Sequence, residues 1–239
     1  MPILAICPLN REKDLLFRAW RAAGCLAQQR QYGRLEAWHF PELDILLSTG
    51  GTGKPQFALQ TQYLLDRMET CEGVICAGSA GALAEGIFFG DVIVASATVE
   101  HDRRGRFFPK PPPSFSISAE ILARFGSGFE ELAQNGGARD ASHRAEESFR
   151  VHYGLVASGD EDIVEPERRR EIREATGAMA VAWEGAGGAR ACAFNHVPYA
   201  EIRGITDAAG TLAPVEFEKS LAPAMNNIAT LLLQKFSAL

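Results

Sequence analysis

The feature that most constrains this chain is a regular alternation of short apolar runs with longer segments of helical periodicity. PILAI (2–6), LDILLS (43–48), GVICAGSAGAL (73–83), GDVIVASATVEHD (90–102), VHYGLVASGD (151–160), AMAVAWEG (178–185) and YAEIRGIT (199–206) read as buried strands. RLEAWHF (34–40) alternates as a half-buried strand does. Helical patterns lie between them, from about Lys13 to Gln28, from Phe57 to Met68, over 186–195, and from Val215 to Phe236. Strands and helices in this order imply an α/β domain around a parallel or mixed sheet. The chain has 239 residues, 46% of them hydrophobic, which suffices for one large core or two small ones.

Composition then removes several function classes. The formal net charge is −6, and the only basic cluster, PERRRE (166–171), is interleaved with acids. A nucleic-acid binder would show a basic stripe, so no nucleic-acid partner is expected. No window approaches 18 apolar residues, and MPILAICPLN lacks the basic and long apolar regions of a signal peptide. No membrane partner is expected. Five cysteines without a CxxC pair read as reduced thiols of a cytoplasmic protein. No Cys/His group has zinc-ligand spacing, so no zinc site is expected, and the reading that follows calls for no other metal or organic cofactor. Two stretches break the regular pattern. RRGRFFPKPPPSFSIS (103–118) reads as a long surface loop suited to a lid, and QNGGARDASHRAEESFR (134–150) as a polar, mobile segment.

In α/β sheets, ligands bind beyond the carboxyl ends of the strands. Here those ends carry small and polar residues, among them Ser79, Gly81, Glu184, Thr206 and Asp207. Each has a bland reading beside a functional one. GGTGK (50–54) lacks the Ser or Thr that follows a Walker A lysine, and a glycine turn packing a helix is the simpler reading. Ser79 would sit in a nest of backbone N–H groups that suits either a tight turn or an anion. Glu184 and Asp207 each follow an apolar strand and precede small residues, as a helix N-cap does. Glu12 has the place of a first-turn helix acid. Two strand-end carboxylates beside glycine strand ends point to a site.

Four segments together resemble the purine nucleoside phosphorylase and uridine phosphorylase superfamily, and the methylthioadenosine/S-adenosylhomocysteine nucleosidases within it. AGSAGAL followed by GDVIVASATVEHD is similar to the family's GSAGGL and GD-[IV]-V segments. GLVASGDEDI resembles GxxxSGDxFI, and GGTGK the GxGK turn. AVAWEGAGGARACAFNHVPYAEIRGITD carries an acid, VP, arginine and aspartate at the family's spacing. The resemblance implies a single domain over 1–239, a three-layer αβα sandwich with a mixed central sheet, and a homo-oligomer, a dimer foremost.

It also implies a chemistry. Asp207 matches the acid that protonates purine N7, Glu184 the carboxylate that holds the ribose hydroxyls, and Glu12 the base that activates water. Ser79 and Arg203 match polar groups around the nucleophile, with Gly81 and Thr206 beside them, and Ile163 the position whose backbone contacts the base. The expected reaction is hydrolysis of the N-glycosidic bond of a purine nucleoside, with methylthioadenosine or S-adenosylhomocysteine in the lead. Cys76 stands where the phosphorylases carry an arginine, and a thiol has no bidentate grip on phosphate. A phosphorylase, a hydrolase of another nucleoside such as futalosine, and a nucleoside-binding protein without turnover are the alternatives. The chain departs from the family at Asp162, in place of a phenylalanine that stacks on adenine, at Trp183, in place of a methionine, and at Ala182, in place of an acid. Trp183 is expected to supply the missing aromatic surface. Asp162 is expected to accept a hydrogen bond from an exocyclic amino group, and Phe107, Phe108 and the proline run to meet an apolar 5′ group or a partner subunit.

Overall fold

A computed structural model of the chain describes residues 1–103, 105, 107, 110–125 and 149–237. Among them the elements run β1 (Ile3–Cys7), α1 (Asn10–Ala22), β2 (Gln28–Tyr32), β3 (Leu35–Phe40), β4 (Ile45–Thr49), α2 (Lys54–Leu65), β5 (Gly73–Ala82), β6 (Val92–Glu100), β7 (Ser114–Ser116), α3 (Ala119–Phe125), β8 (Val151–Ser158), α4 (Pro166–Thr176), β9 (Ala180–Ala182), α5 (Gly185–Asn195), β10 (Tyr199–Asp207) and α6 (Ala213–Phe236).

The strands form one mixed sheet in the order β10-β6-β8-β9-β5-β1-β4-β3-β2, with β7 added to β6. β10 also pairs in parallel with β5, so β10, β6, β8, β9 and β5 close on themselves. β1 lies parallel between β4 and β5 at the start of the open half. Its five residues are all buried, and their alternation sorts them between two cores. Ile3, Ala5 and Cys7 meet Leu16 and Trp20 of α1, α3, and Leu221, Met225 and Ile228 of α6. Leu4 and Ile6 meet Phe57 and Leu64 of α2 and Ala189 and Cys192 of α5. Helices therefore cover both faces, giving the three-layer α/β architecture. Trp20 fixes the first layer further, its indole N–H donating to the Ala229 carbonyl at 3.0 Å.

Three local expectations change. The first helix stops at Ala22 rather than continuing to Gln28, because Gly24 takes a positive φ of 93° and turns the chain. The polar run QQRQY that follows is an edge strand, hairpinned to β3 through Gly33, whose φ is 59°. The loop read over 103–118 contains β7, three residues paired with Ala97–Val99. Phe107 is 95% exposed, and Phe108 lies outside the described residues, as does most of the polar stretch 134–150. No helix among the described residues is long and apolar enough to cross a membrane.

Candidate active site

The carboxyl ends of β1, β5, β8, β9 and β10 open on a cavity of about 410 Å³, within the roughly 300–1,000 Å³ of small-molecule pockets. Glu12, Ser79, Gly81, Asp162, Ile163, Trp183, Glu184, Thr206 and Asp207 all line it. Arg203, the remaining site residue expected from the sequence, does not. It is buried behind the wall, 1% exposed, and touches the cavity only through its neighbours.

Glu12 lies in the first turn of α1 and is 1% exposed. Its two oxygens are held from different sides. One carboxylate oxygen accepts from the Leu9 backbone N–H at 2.8 Å, closing the helix start. The other accepts from the backbone N–H and the hydroxyl of Ser79, each at 2.7 Å. The anion expected in the Ser79 nest is thus supplied by the protein itself. Burial pushes the Glu12 carboxyl up, while the Ser79 and Leu9 bonds and the Arg203 charge pull it back down.

Glu184 occupies the N-cap position of α5 but does not cap it. Its side chain turns inward, accepting from the Gly53 N–H at 3.2 Å and facing Arg203 at 3.5 Å. Two sequence features make this geometry. The first residues of α5 are Gly-Ala-Gly-Gly-Ala, all buried, and a Cβ at Gly187 would strike the Lys54 backbone. Small residues let α5 approach the start of α2 closely, which delivers Gly53 to Glu184. Ser158 then bolts the turn between β9 and α5, donating to the Trp183 carbonyl at 2.6 Å and accepting from the Ala186 N–H at 3.0 Å. The GGTGK turn consequently serves carboxylates, because the Lys54 N–H goes to Asp160 at 2.7 Å. The Lys54 ammonium is held by Glu100 at 3.1 Å and by Asp102. Burial pushes the Glu184 carboxyl up as well, against the pull of Arg203.

Asp207 ends β10 opposite Gly81 of β5. A Cβ at position 81 would lie 2.6 Å from Asp207 Oδ1, so the glycine makes room for the carboxyl group. Oδ1 accepts from the Ala209 N–H at 2.9 Å, a local turn rather than a cap on α6, which begins six residues on. Oδ2 lies 2.8 Å from the Thr206 hydroxyl, itself 3.3 Å from the Ala80 carbonyl. That hydroxyl suits either protonation state. It donates to an ionised Asp207, or accepts from a protonated one and donates to Ala80. Burial raises the Asp207 carboxyl above its ordinary range.

The described lining holds five carboxylates, Glu12, Glu161, Asp162, Glu184 and Asp207, and no lysine, arginine or histidine. Among the described residues, Arg168 is matched by Glu161 and Glu171, Arg11 by Glu218, and Arg190 by Glu100. Cys76 points its sulfur at Arg203, 3.3 Å away, and not at the cavity. Among the described residues no group of three or more acids, histidines and cysteines is arranged to hold a metal ion. Of the buried acids that escaped the sequence reading, one lies against the site residues. Glu201, 1% exposed, bonds Arg203 and Thr98 behind the cavity. Its only sequence signal is an acid two residues before an arginine within an apolar strand.

Five acids thus gather on one cavity at the carboxyl ends of β1, β8, β9 and β10, and comparison with known proteins says to which class of α/β proteins such a cavity belongs. The sequence profile of the Phosphorylase superfamily matches residues 29–236. The 5′-methylthioadenosine/S-adenosylhomocysteine nucleosidase of Colwellia psychrerythraea is 30% identical over 204 residues, covering 82% of this chain and 80% of its own. That organism's nucleosidase in complex with adenine superposes with a TM-score of 0.79 at 25% identity, over 100% of this chain and 97% of the other. The Neisseria meningitidis nucleosidase bound to methylthio-immucillin-A gives 0.80 at 24% identity, over 100% and 99%. The chain belongs to the phosphorylase superfamily, within its 5′-methylthioadenosine/S-adenosylhomocysteine nucleosidase family. It is a nucleosidase, an enzyme that hydrolyses nucleosides.

Proposed function

We propose that the protein cleaves the N-glycosidic bond of methylthioadenosine or S-adenosylhomocysteine with water, releasing adenine, and that Asp207, Glu184 and Glu12 carry the reaction. The observation that supports this most is the meeting of these three carboxyl groups on one cavity whose described lining has no cation. Asp207, with its carboxyl raised by burial, gives a proton to purine N7, so that the base departs neutral. The bond from C1′ to the base breaks, and its electrons leave with the base. Glu184 accepts hydrogen bonds from the ribose hydroxyls, and its charge stabilises the oxocarbenium-like transition state. Glu12 takes a proton from the attacking water, whose oxygen bonds C1′. Ser79 holds Glu12 at two atoms, which fixes the base for that transfer. Ile163 and Trp183 supply apolar and aromatic walls for the base, and Asp162 accepts from its amino edge. Pro8, Leu9, Pro214 and Phe217 offer an apolar wall to the 5′-thioether.

The choice of water over phosphate follows from charge. Among the described residues that line this cavity, a phosphate dianion would meet several acids and no guanidinium or ammonium to grip it. The enzyme is read as a single-domain homodimer of the cytoplasm. Free cysteines, four of them buried, suit a reducing compartment, and the exposed Phe88, Phe89 and Leu212 suit cover by a second copy. The test is release of free base from a nucleoside panel with and without phosphate. Adenine release from the two thioethers at a rate independent of phosphate is expected. Strictly phosphate-dependent release would overturn the hydrolytic reading, and tight binding without release would make the protein a sensor.

A further inference from the structure

Arg203 stands behind the cavity wall with its fork fully engaged. Its Nε donates to Glu201 at 2.7 Å, Nη1 to the Ser79 carbonyl at 3.2 Å, and Nη2 lies 3.3 Å from the Cys76 sulfur and 3.5 Å from Glu184. The guanidinium therefore touches both residues that hold the reacting groups: Glu184 directly, and Glu12 through Ser79. Glu201 and Arg203 are two residues apart on β10 and share a face of the strand. The other Glu201 oxygen accepts from the Thr98 hydroxyl of β6. Two glycines complete the assembly. A Cβ at Gly185 would overlap the Glu201 carboxylate, and one at Gly78 would lie 2.8 Å from Arg203 Nη1. Three strands and the start of α5 thus enclose one buried ion pair.

The two acids hold Arg203 unequally. Glu201 has the short contact and Glu184 the long one. A buried arginine with one carboxylate partner closes on it through two parallel hydrogen bonds. Were Glu184 that partner, a second oxygen would be drawn from the Gly53 N–H to the guanidinium.

We propose that Glu201 is a positioning residue for catalysis: by holding Arg203 it leaves the Glu184 carboxylate free to meet the ribose hydroxyls and keeps Ser79 in place beneath Glu12. The inference rests on the reading of Glu184 as the ribose clamp. Among the described residues, the other titratable groups that feel the Arg203 charge include Cys76 on β5, Cys7 on β1, Glu12 on α1 and Tyr199 on β10. Burial pushes all three of Cys7, Cys76 and Tyr199 up, so they stay neutral and do not replace a lost Glu201 charge. In Glu201→Gln, Arg203 would pair with Glu184, and its unshared charge would favour the ionised forms of Glu184 and Glu12.

The test compares an adenosine thioether with its 2′-deoxy counterpart in the wild type, Glu201→Gln, Glu201→Asp and Thr98→Val. In the wild type the ribonucleoside is preferred. In Glu201→Gln the preference falls about tenfold, a hydrogen bond's worth of discrimination, through a raised KM. The acid limb of its kcat/KM profile moves to lower pH. Glu201→Asp recovers part of both. If Glu201→Gln does not fold, Thr98→Val is read instead, since it keeps every charge and removes only the second anchor of Glu201, and about a threefold fall is expected. A folded Glu201→Gln with the wild-type preference and pH profile overturns the inference, as does Thr98→Val without change. A wild type that releases no base refutes the proposed function instead, so the two failures are distinct.

Discussion

Asp207→Asn separates chemistry from folding more cleanly than any other change in this site. The two side chains have the same shape, and asparagine keeps the local bonds. Its Oδ1 accepts from the Ala209 N–H, now at 2.9 Å from the carboxylate, and its amide donates to the Thr206 hydroxyl, which turns to the Ala80 carbonyl. What is lost is the acidic proton. General acid catalysis contributes about 10²–10⁴ in rate, so kcat should fall by that factor, about 2.7–5.5 kcal/mol of transition-state stabilisation, with KM little changed. Stability should move the other way at neutral pH. Burial raises the folded-state carboxyl, so the wild type gains from protonation of Asp207 below the unfolded value, about 3.9, and loses that gain as pH rises through the folded one. Asparagine does not titrate. The melting temperature of the variant relative to wild type should therefore rise between pH 4 and pH 8. The assay is steady-state release of base, with thermal melts across that range. A loss of kcat under about tenfold would refute the proton-donor role, and a melting difference that shrinks with pH would refute the raised carboxyl.

Two further outcomes follow from the same geometry. Gly81→Ala would place a Cβ 2.6 Å from Asp207 Oδ1 and 3.1 Å from the Ala209 Cβ. Activity should drop about a hundredfold through displacement of the acid, with a loss of about 1–3 kcal/mol from overpacking in denaturant titration. Ser79→Ala removes one of the donors that lower the Glu12 carboxyl, which burial already holds high. The acid limb of kcat/KM, set by ionisation of Glu12, should move to higher pH, and a limb that stays put would exclude Glu12 as the titrating base.

The α/β order was legible because strands buried on both faces are written as nearly continuous apolar runs. β1, β5, β6, β8 and β10 are such runs. β2 was not legible: QQRQY has no apolar face, and backbone pairing to β3 alone makes it a strand. The candidate site residues come from strand ends and motif resemblance, and nearly all of them line one cavity. That Arg203 reaches the cavity only through Ser79 and Glu184 was not legible, because a strand sequence shows which residues share a face but not what covers it. For the same reason Glu201 passed as an ordinary polar position.

By itself, the sequence determined the kind of fold, the family, and the carboxyl groups that gather at the strand ends. Apolar periodicity and the spacing of acids are local properties, written in order along the chain. Only the tertiary structure decided which oxygen meets which donor. It put the Glu12 carboxylate into the Ser79 nest, gave the Gly53 N–H to Glu184, and divided Arg203 between Glu201 and Glu184. Each of those contacts joins residues far apart in the chain or depends on space left by a glycine elsewhere. Burial, which raises the Asp207 carboxyl above its ordinary range, exists only once the sheet has closed around it.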